Sequence, residues 1–361
     1  MRSTTLIILF ILLKQFSFAS VDDTFPHRLS SRSLAFPFII NSPETSVGFG
    51  GAVAYFFKAK KNEPELRTSD VNLIGLYTLN KQTVIVLGST IFFPGEKQIF
   101  RFQGSYSNYP DKTWGIGNET PPEAVEDYSL IQFFVNPQYI YMLYKKLYVG
   151  CSLEFQEVSN LEYKTGGVFD EQNIEGKSGG LTSGFGLLLT WDTRNNAYYP
   201  TKGNFAEFNF SNFSEVFGSD YQFSNYSLDL RKFLPAGKNR VLGFQYFMRA
   251  NNGSTPIRYM SMLGGTEIMR GLYKGRYTDQ DLVAFQAELR QYLFWRIGVA
   301  GFAAAGQVSP HVKNFGLNDF HYAYGAGLRI LLHKREKLNL RVDFGFGYKS
   351  NGVYVILKEA F

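Results

Sequence analysis

The sequence predicts an all-β fold, a transmembrane β-barrel of sixteen antiparallel strands. Three observations carry that expectation. An export signal opens the chain, two-faced strands follow one another to the last residue with no helix between them, and their connections alternate between short and long, as in bacterial outer-membrane barrels. Composition agrees. The 361 residues include 35 Phe, 23 Tyr, 3 Trp and 35 Gly, and mean hydropathy is -0.15. No stretch reaches the roughly 20 apolar residues of a spanning helix. One Cys excludes a disulfide scaffold, and 45% hydrophobic residues exclude disorder. A net charge of +6 without a concentrated basic tract argues against nucleic acid as a partner.

Met1–Arg2 is a basic n-region, Leu6–Leu13 an apolar core, and Ser17-Phe18-Ala19 a small-x-small cleavage site. Residues 1–19 therefore read as a secretory signal peptide, residues 20–32 as a short periplasmic segment and residues 33–361 as the barrel. The repeating unit is a two-faced strand closed by a turn. In Ser46–Phe57, Val47, Phe49, Val53, Tyr55 and Phe57 oppose the small residues Ser46, Gly48, Gly50, Ala52 and Ala54. In Asp281–Phe294, Val283, Phe285, Ala287, Leu289 and Leu293 oppose Gln286, Glu288, Arg290 and Tyr292. In Leu338–Gly347, Leu338, Leu340, Val342, Phe344 and Phe346 oppose Asn339, Arg341, Asp343, Gly345 and Gly347.

Read in order, the first eight strands are Leu34–Ile40, Ser46–Phe57, Ser69–Leu79, Thr83–Phe93, Lys97–Ser107, Tyr128–Leu143, Leu147–Val158 and Gly180–Trp191. The second eight are Gly203–Phe213, Asp220–Phe233, Asn239–Ala250, Asp281–Phe294, Ile297–Gln307, His321–Leu332, Leu338–Tyr348 and Gly352–Phe361. An even count puts both ends on the periplasmic side. The long connections Asn108–Asp127, Ser159–Gly179, Asn251–Gln280 and Val308–Phe320 then fall outside. The short turns Pro94–Glu96, Tyr144–Lys146, Leu234–Lys238, Trp295–Arg296 and His333–Lys337 fall inside. Two connections fit badly, since Lys58–Thr68 is long for an inside turn and Asn80–Gln82 short for an outside loop. Lipid offers no hydrogen bonds to a strand edge, so the sheet must close on itself. A barrel this wide is not filled by its own side chains, so it is plugged or it is a pore.

The candidate plug is Asn251–Gln280, which carries Leu263-Gly264-Gly265-Thr266-Glu267-Ile268-Met269-Arg270-Gly271-Leu272-Tyr273. Inside a barrel Arg270 would need a carboxylate or ordered water. Glu288 and Asp343 lie on inward polar faces and could supply one. Periodicity alone leaves a second reading open, a solvated surface loop with an ordinary Arg. Other chemistry is sparse. His27, His311, His321 and His333 form no ligand pair, and the last three fall at loops and strand ends where solvation is expected. No Gly-x-Ser-x-Gly elbow occurs, so no catalytic, cofactor or metal site is expected. Cys151 shares a lipid-facing phase with Val149 and Leu153. Tyr141, Tyr144, Tyr148, Tyr198, Tyr199, Trp191 and Trp295 fall near strand ends, as an interfacial girdle would.

Five stretches stand in a fixed order. They are Ser42-Pro43-Glu44-Thr45; Trp191-Asp192-Thr193-Arg194 through Pro200-Thr201-Lys202-Gly203; Gly264-Gly265 with Met269-Arg270-Gly271-Leu272; Gln286-Ala287-Glu288-Leu289-Arg290; and the closing Phe361. With them the chain after the signal resembles the barrel of the bacterial surface antigen superfamily. That superfamily holds the outer-membrane barrel-assembly insertases, their translocation-and-assembly relatives and the two-partner secretion transporters. The resemblance implies a loop folded into the barrel before the twelfth strand, with Arg270 locked inside. The family's loop motif is hydrophobic-Arg-Gly-aromatic; here Leu272 takes the aromatic place and Tyr273 follows. Relatives carry Phe-x-Asp-x-Gly on the thirteenth strand, and that Asp helps to bind the loop Arg. Here the stretch is Phe302-Ala303-Ala304-Ala305-Gly306, with Ala304 at the Asp position. The expected lock is Met269, Arg270, Gly271 and Leu272 against Glu288 and Phe302, with Asp343 a weaker partner.

Relatives also place polypeptide-transport-associated modules before the barrel. The stretch Ser20–Arg32 is too short for one, so capture by such modules is expected to be absent. The resemblance implies a non-enzymatic protein in the outer membrane of a Gram-negative bacterium. It would move or insert polypeptide or lipid through a seam between Leu34–Ile40 and Gly352–Phe361. The implied partners are outer-membrane lipids and unfolded outer-membrane polypeptides or lipid cargo. The alternative is a passive pore or structural barrel without insertase activity.

Overall fold

A computed structural model describes residues 32–42, 46–60, 63, 66–333 and 337–361. The signal segment, His27 and Pro43-Glu44-Thr45 lie outside the described residues. The first nine strands are β1 (Arg32–Ser42), β2 (Ser46–Phe57), β3 (Ser69–Thr78), β4 (Thr83–Phe92), β5 (Gln98–Thr113), β6 (Glu126–Tyr144), β7 (Leu147–Glu162), β8 (Gly180–Asp192) and β9 (Gly203–Phe213). The second nine are β10 (Phe223–Pro235), β11 (Arg240–Gly253), β12 (Ser261–Leu263), β13 (Tyr277–Asp279), β14 (Asp281–Phe294), β15 (Ile297–Ser309), β16 (His321–His333), β17 (Leu338–Gly347) and β18 (Ser350–Leu357). Sixteen of them close into one barrel, each paired with its neighbour in chain order. The short β12 and β13 pair only with each other among the described residues, inside the connection between β11 and β14. The twelfth barrel strand is thus β14.

The pleat sorts side chains as the alternation predicts. Phe49, Val53, Leu153, Leu187 and Phe285 are exposed on the outer wall, where lipid covers them, and Cys151 is exposed with them. Among the described residues no helix is long and apolar enough to cross a membrane. Trp191, Trp295, Tyr141 and Tyr144 also stay exposed near strand ends. Tyr148 and Tyr198 do not belong to that girdle: they are buried, because each sits in the inward phase or folds over the barrel mouth.

Several expected boundaries move, three of them with a clear physical cause. β5 runs on to Thr113 and β6 starts at Glu126, because Asn108–Thr113 pairs with Glu126–Ile131 beyond the apolar band, where a ladder needs no greasy face. The connection at Asn251–Gln280 contains the β12–β13 pair, whose three-residue strands are too short for an alternation signal. The last strand ends at Leu357, not at Phe361. There the chain turns inward through Lys358, at φ 74°, and its N–H donates to Asn339 O. Ala360 and Phe361 are buried with Phe233 and Val241, and Phe361 stacks on Phe233 with ring centroids 6.4 Å apart. Apolar cover inside the mouth wins over four more residues of ladder.

Phe285 sits mid-strand on the outer wall. Replacing it with Arg should cost about 2–4 kcal/mol of barrel stability, read as loss of heat-resistant gel mobility and of urea resistance in bilayers. Unchanged stability would contradict the assignment of this face to lipid.

Candidate functional site

The connection from Ser254 to Gln280 folds into the lumen; its tip seats on β14–β18, and Arg258, Tyr259 and Tyr273 reach β5, β6, β9 and β10. Its β12–β13 pair holds the stem, and Leu263, Met269 and Leu272 are fully buried with Leu282, Ala284, Ala304 and Val308. The tip turns sharply, with Met269 at φ 59° and Gly271 at φ 114°. A Cβ on Gly271 would lie 2.5 Å from Phe346 N, and one on Gly345 would lie 2.7 Å from Gly271 N. Backbone meets backbone there, which only glycine on both sides permits. The Gly271 N–H also donates to the Tyr354 hydroxyl of β18 at 3.0 Å.

Arg270 is placed at the centre of a buried charge network. Its Nη2 lies 2.6 Å from Glu288 Oε2 and its Nη1 2.5 Å from Asp343 Oδ2, while the guanidinium lies 3.7 Å above the Phe302 ring. Asp343 is therefore no weaker a partner than Glu288, a correction to the sequence reading. Alternation told which face Asp343 occupies but not that the loop tip runs along β17. Ala304 packs among the apolar residues of the loop seat instead of bearing charge.

Three more guanidiniums join. Arg290 Nε contacts Glu288 at 2.7 Å; Arg329 contacts Asp343 at 2.5 Å, Glu288 at 3.3 Å and Glu359 at 2.8 Å; Arg341 contacts Asp343 at 3.0 Å. Arg341 Nη2 also donates to Thr266 O of the loop at 2.8 Å, and Arg290 Nη2 to Phe361 O at 2.9 Å. Sequence reasoning missed Arg329, Arg341, Tyr354 and Glu359 as members and gave Arg290 no role. Their inward phase was legible for the strand residues; Glu359 lies past β18 and carries no phase.

A second polar cluster closes the turn end of the barrel. Arg67, from the long Lys58–Thr68 connection, contacts Asp192 at 2.7 Å and Glu96 at 3.2 Å, and Arg194 contacts Asp192 at 2.9 Å. Tyr198 packs with Ala54, Phe56 and Leu338, and its hydroxyl donates to Asp70 at 2.9 Å. At the loop end His321 is not solvated as expected: it stacks on Tyr277, ring centroids 3.6 Å apart, and its Nε2 lies 2.9 Å from Asn118 O. Among the described residues no group of His, Cys, Asp and Glu is arranged to hold a metal ion.

An Omp85 superfamily domain matches residues 93–352. The chain belongs to the Omp85 superfamily. It is an outer-membrane barrel of the Gram-negative type. Solved structures repeat the fold. BamA from Haemophilus ducreyi lacking POTRA domains 1-3 matches at 12% identity and TM-score 0.55, covering 91% of this chain and 69% of that one. CdiB from Acinetobacter baumannii matches at 12% and 0.57, covering 91% and 60%. CdiB from Escherichia coli matches at 14% and 0.60, covering 92% and 62%. The chain thus spans about three fifths of each CdiB structure. No curated protein sequence matches.

Breaking a buried pair by removing one partner typically costs about 3–5 kcal/mol, because the other charge is left uncompensated. Glu288 and Asp343 each serve three guanidiniums. Glu288→Ala or Asp343→Ala should therefore lower heat resistance on gels more than Arg270→Ala, which leaves both acids paired. Arg270→Ala added to Glu288→Ala should cost little beyond Glu288→Ala alone. Strict additivity would contradict the shared network.

Proposed function

We propose that this barrel opens sideways at the β1–β18 seam and passes polypeptide or lipid between its lumen and the bilayer, without enzymatic chemistry. The observation that supports this reading is the seam itself. Among the described residues β1 and β18 are in register at the single pair Asn41↔Val353, whereas β1 pairs β2 from Arg32↔Phe56 to Ser42↔Ser46. Pro37 in β1 has no N–H to give a ladder. A seam with so few hydrogen bonds separates more readily than any other strand pair of this wall.

The lock favours one side of the opening. β18 and the residues after it are tied inward, through Tyr354 to Gly271 and through Glu359 to Arg329 and Asn339. When the seam parts, β18 stays with the loop and β1 moves. The free edge of β1 would then offer backbone groups to an incoming strand, the mode by which exposed edges pair.

Asn41→Cys with Val353→Cys, in a Cys151→Ser background, should crosslink in membranes under mild oxidation. Crosslinking should abolish insertion of an unfolded outer-membrane polypeptide, or lipid transfer, in proteoliposomes, and reduction should restore it. Full activity in the fully crosslinked protein would defeat the lateral route. Deleting residues 254–280 should raise bilayer conductance; large steady conductance in the intact protein would instead favour a passive pore.

A further inference from the structure

The lumen wall is divided into three panels. β14–β18 present small residues and charges to the inserted loop. β5–β11 present amides, hydroxyls and charges, among them Gln138, Asn136, Gln156, Asn209 and Asn225. β2, β3 and β4 differ, for their inward phase is apolar through the middle of the wall. By register that phase runs Gly50↔Leu76↔Val84 and Ala52↔Ile74↔Val86, and it turns polar at Asn72 of β3 and where Val84 and Val86 meet Ser107 and Ser105 of β5. Phe38 of β1 lies on the same face, since a Cβ on Gly50 would come within 2.5 Å of its ring.

Ile74, Leu76, Val84 and Val86 are half-buried. Among the described residues none of them belongs to, or packs against, a buried apolar cluster. The panel is bounded by hydrogen-bonded polar groups, with Thr78 and Gln82 at the loop end and Asn72, whose amide donates to Asp70, at the turn end. Four strands at ~4.8 Å spacing make it roughly 14 Å wide. Its outer face is apolar too, with Leu73, Tyr77, Ile85 and Leu87 exposed. These strands are thus clad for an apolar medium on both sides, and they adjoin the seam.

The geometry points to a binding site for a lipid acyl chain on the lumen face of β1–β4. The occupant follows from what the panel lacks. Its backbone is consumed by the ladders, so it offers side-chain contact and no hydrogen bonds. A peptide laid there would bring amides that stay unpaired, whereas an acyl chain brings none. The binding stands on the panel alone; only the route rests on the opening seam proposed above.

Two single-cysteine proteins in a Cys151→Ser background, Val86→Cys and Gln138→Cys, each carrying bimane, are reconstituted into nanodiscs containing doxyl-labelled phosphatidylcholine. Bimane at position 86 should be quenched by the doxyl lipid at least threefold more than at 138 and shielded from iodide; position 138 should show the reverse. Iodide quenching at 86 equal to that at 138, with no doxyl effect, would overturn the site. So would a benzophenone probe at 86 that captures polypeptide and no lipid. As a second readout, Leu76→Gln plus Val86→Gln should lower phospholipid retained in native mass spectrometry severalfold, and unchanged retention would count against the site. Adding the Asn41→Cys and Val353→Cys crosslink before lipid exposure separates the two ideas. Lipid quenching that persists keeps the site and removes the seam as its route; quenching lost only after crosslinking supports both.

Discussion

Two buried carboxylates, Glu288 on β14 and Asp343 on β17, hold the interior of this barrel together. Four guanidiniums gather around them and Glu359, and none could be buried without that charge. The arginines come from the loop, β14, β16 and β17, so the acids tie four separate parts of the chain through one cluster. Desolvation cancels much of the gain, so the cluster is better understood as fixing position than as a large net source of stability. What it fixes is the loop tip against β17 and the end of the chain against the lumen.

Room for this arrangement is made by absent side chains. Gly345 and Gly347 of β17 open the wall where Gly271 and Leu272 lie, and Phe302 of β15 supplies the flat surface under Arg270. The loop tip lies along β14–β18, while Arg258, Tyr259 and Tyr273 reach across to Asp111 of β5, Gln132 of β6 and Phe213 and Phe223 of β9 and β10. At the mouth, Arg67 and Tyr198 draw long connections inward, which accounts for a turn that is too long for its side of the barrel.

Much of this was legible in the residues. Strand phase is fixed by alternation, so the inward direction of Glu288, Arg290, Arg341 and Asp343 could be read from β14 and β17. Their partnership could not, because contacts across the lumen depend on barrel width and on where the loop tip lands. Ser46–Phe57, Gly203–Phe213 and Asp281–Phe294 were legible to the residue, since turn residues bound them. The inward turn after Leu357 was not: Glu359-Ala360-Phe361 alternates like a strand, and only the pocket at Phe233 and Gly243 decides otherwise. The apolar lumen rows of β3 and β4 lay in plain sight in LIGL and VIV, but a stretch apolar on both faces carries no sign of which face is inside.

On the proposed lateral route, the charge network and the seam work as one coupled device, since the network holds β18 and its following residues from within. It is tested in the Asn41→Cys, Val353→Cys double variant by the rate at which the disulfide across the seam forms in membranes. The rate is measured with Glu288 intact and with Glu288→Gln, both barrels being folded by heat-modifiable mobility. Loosening the network should free β18, so that the strands spend less time in register and crosslinking slows severalfold. Equal rates in the two proteins would mean that the lock and the seam act independently, contradicting the coupling.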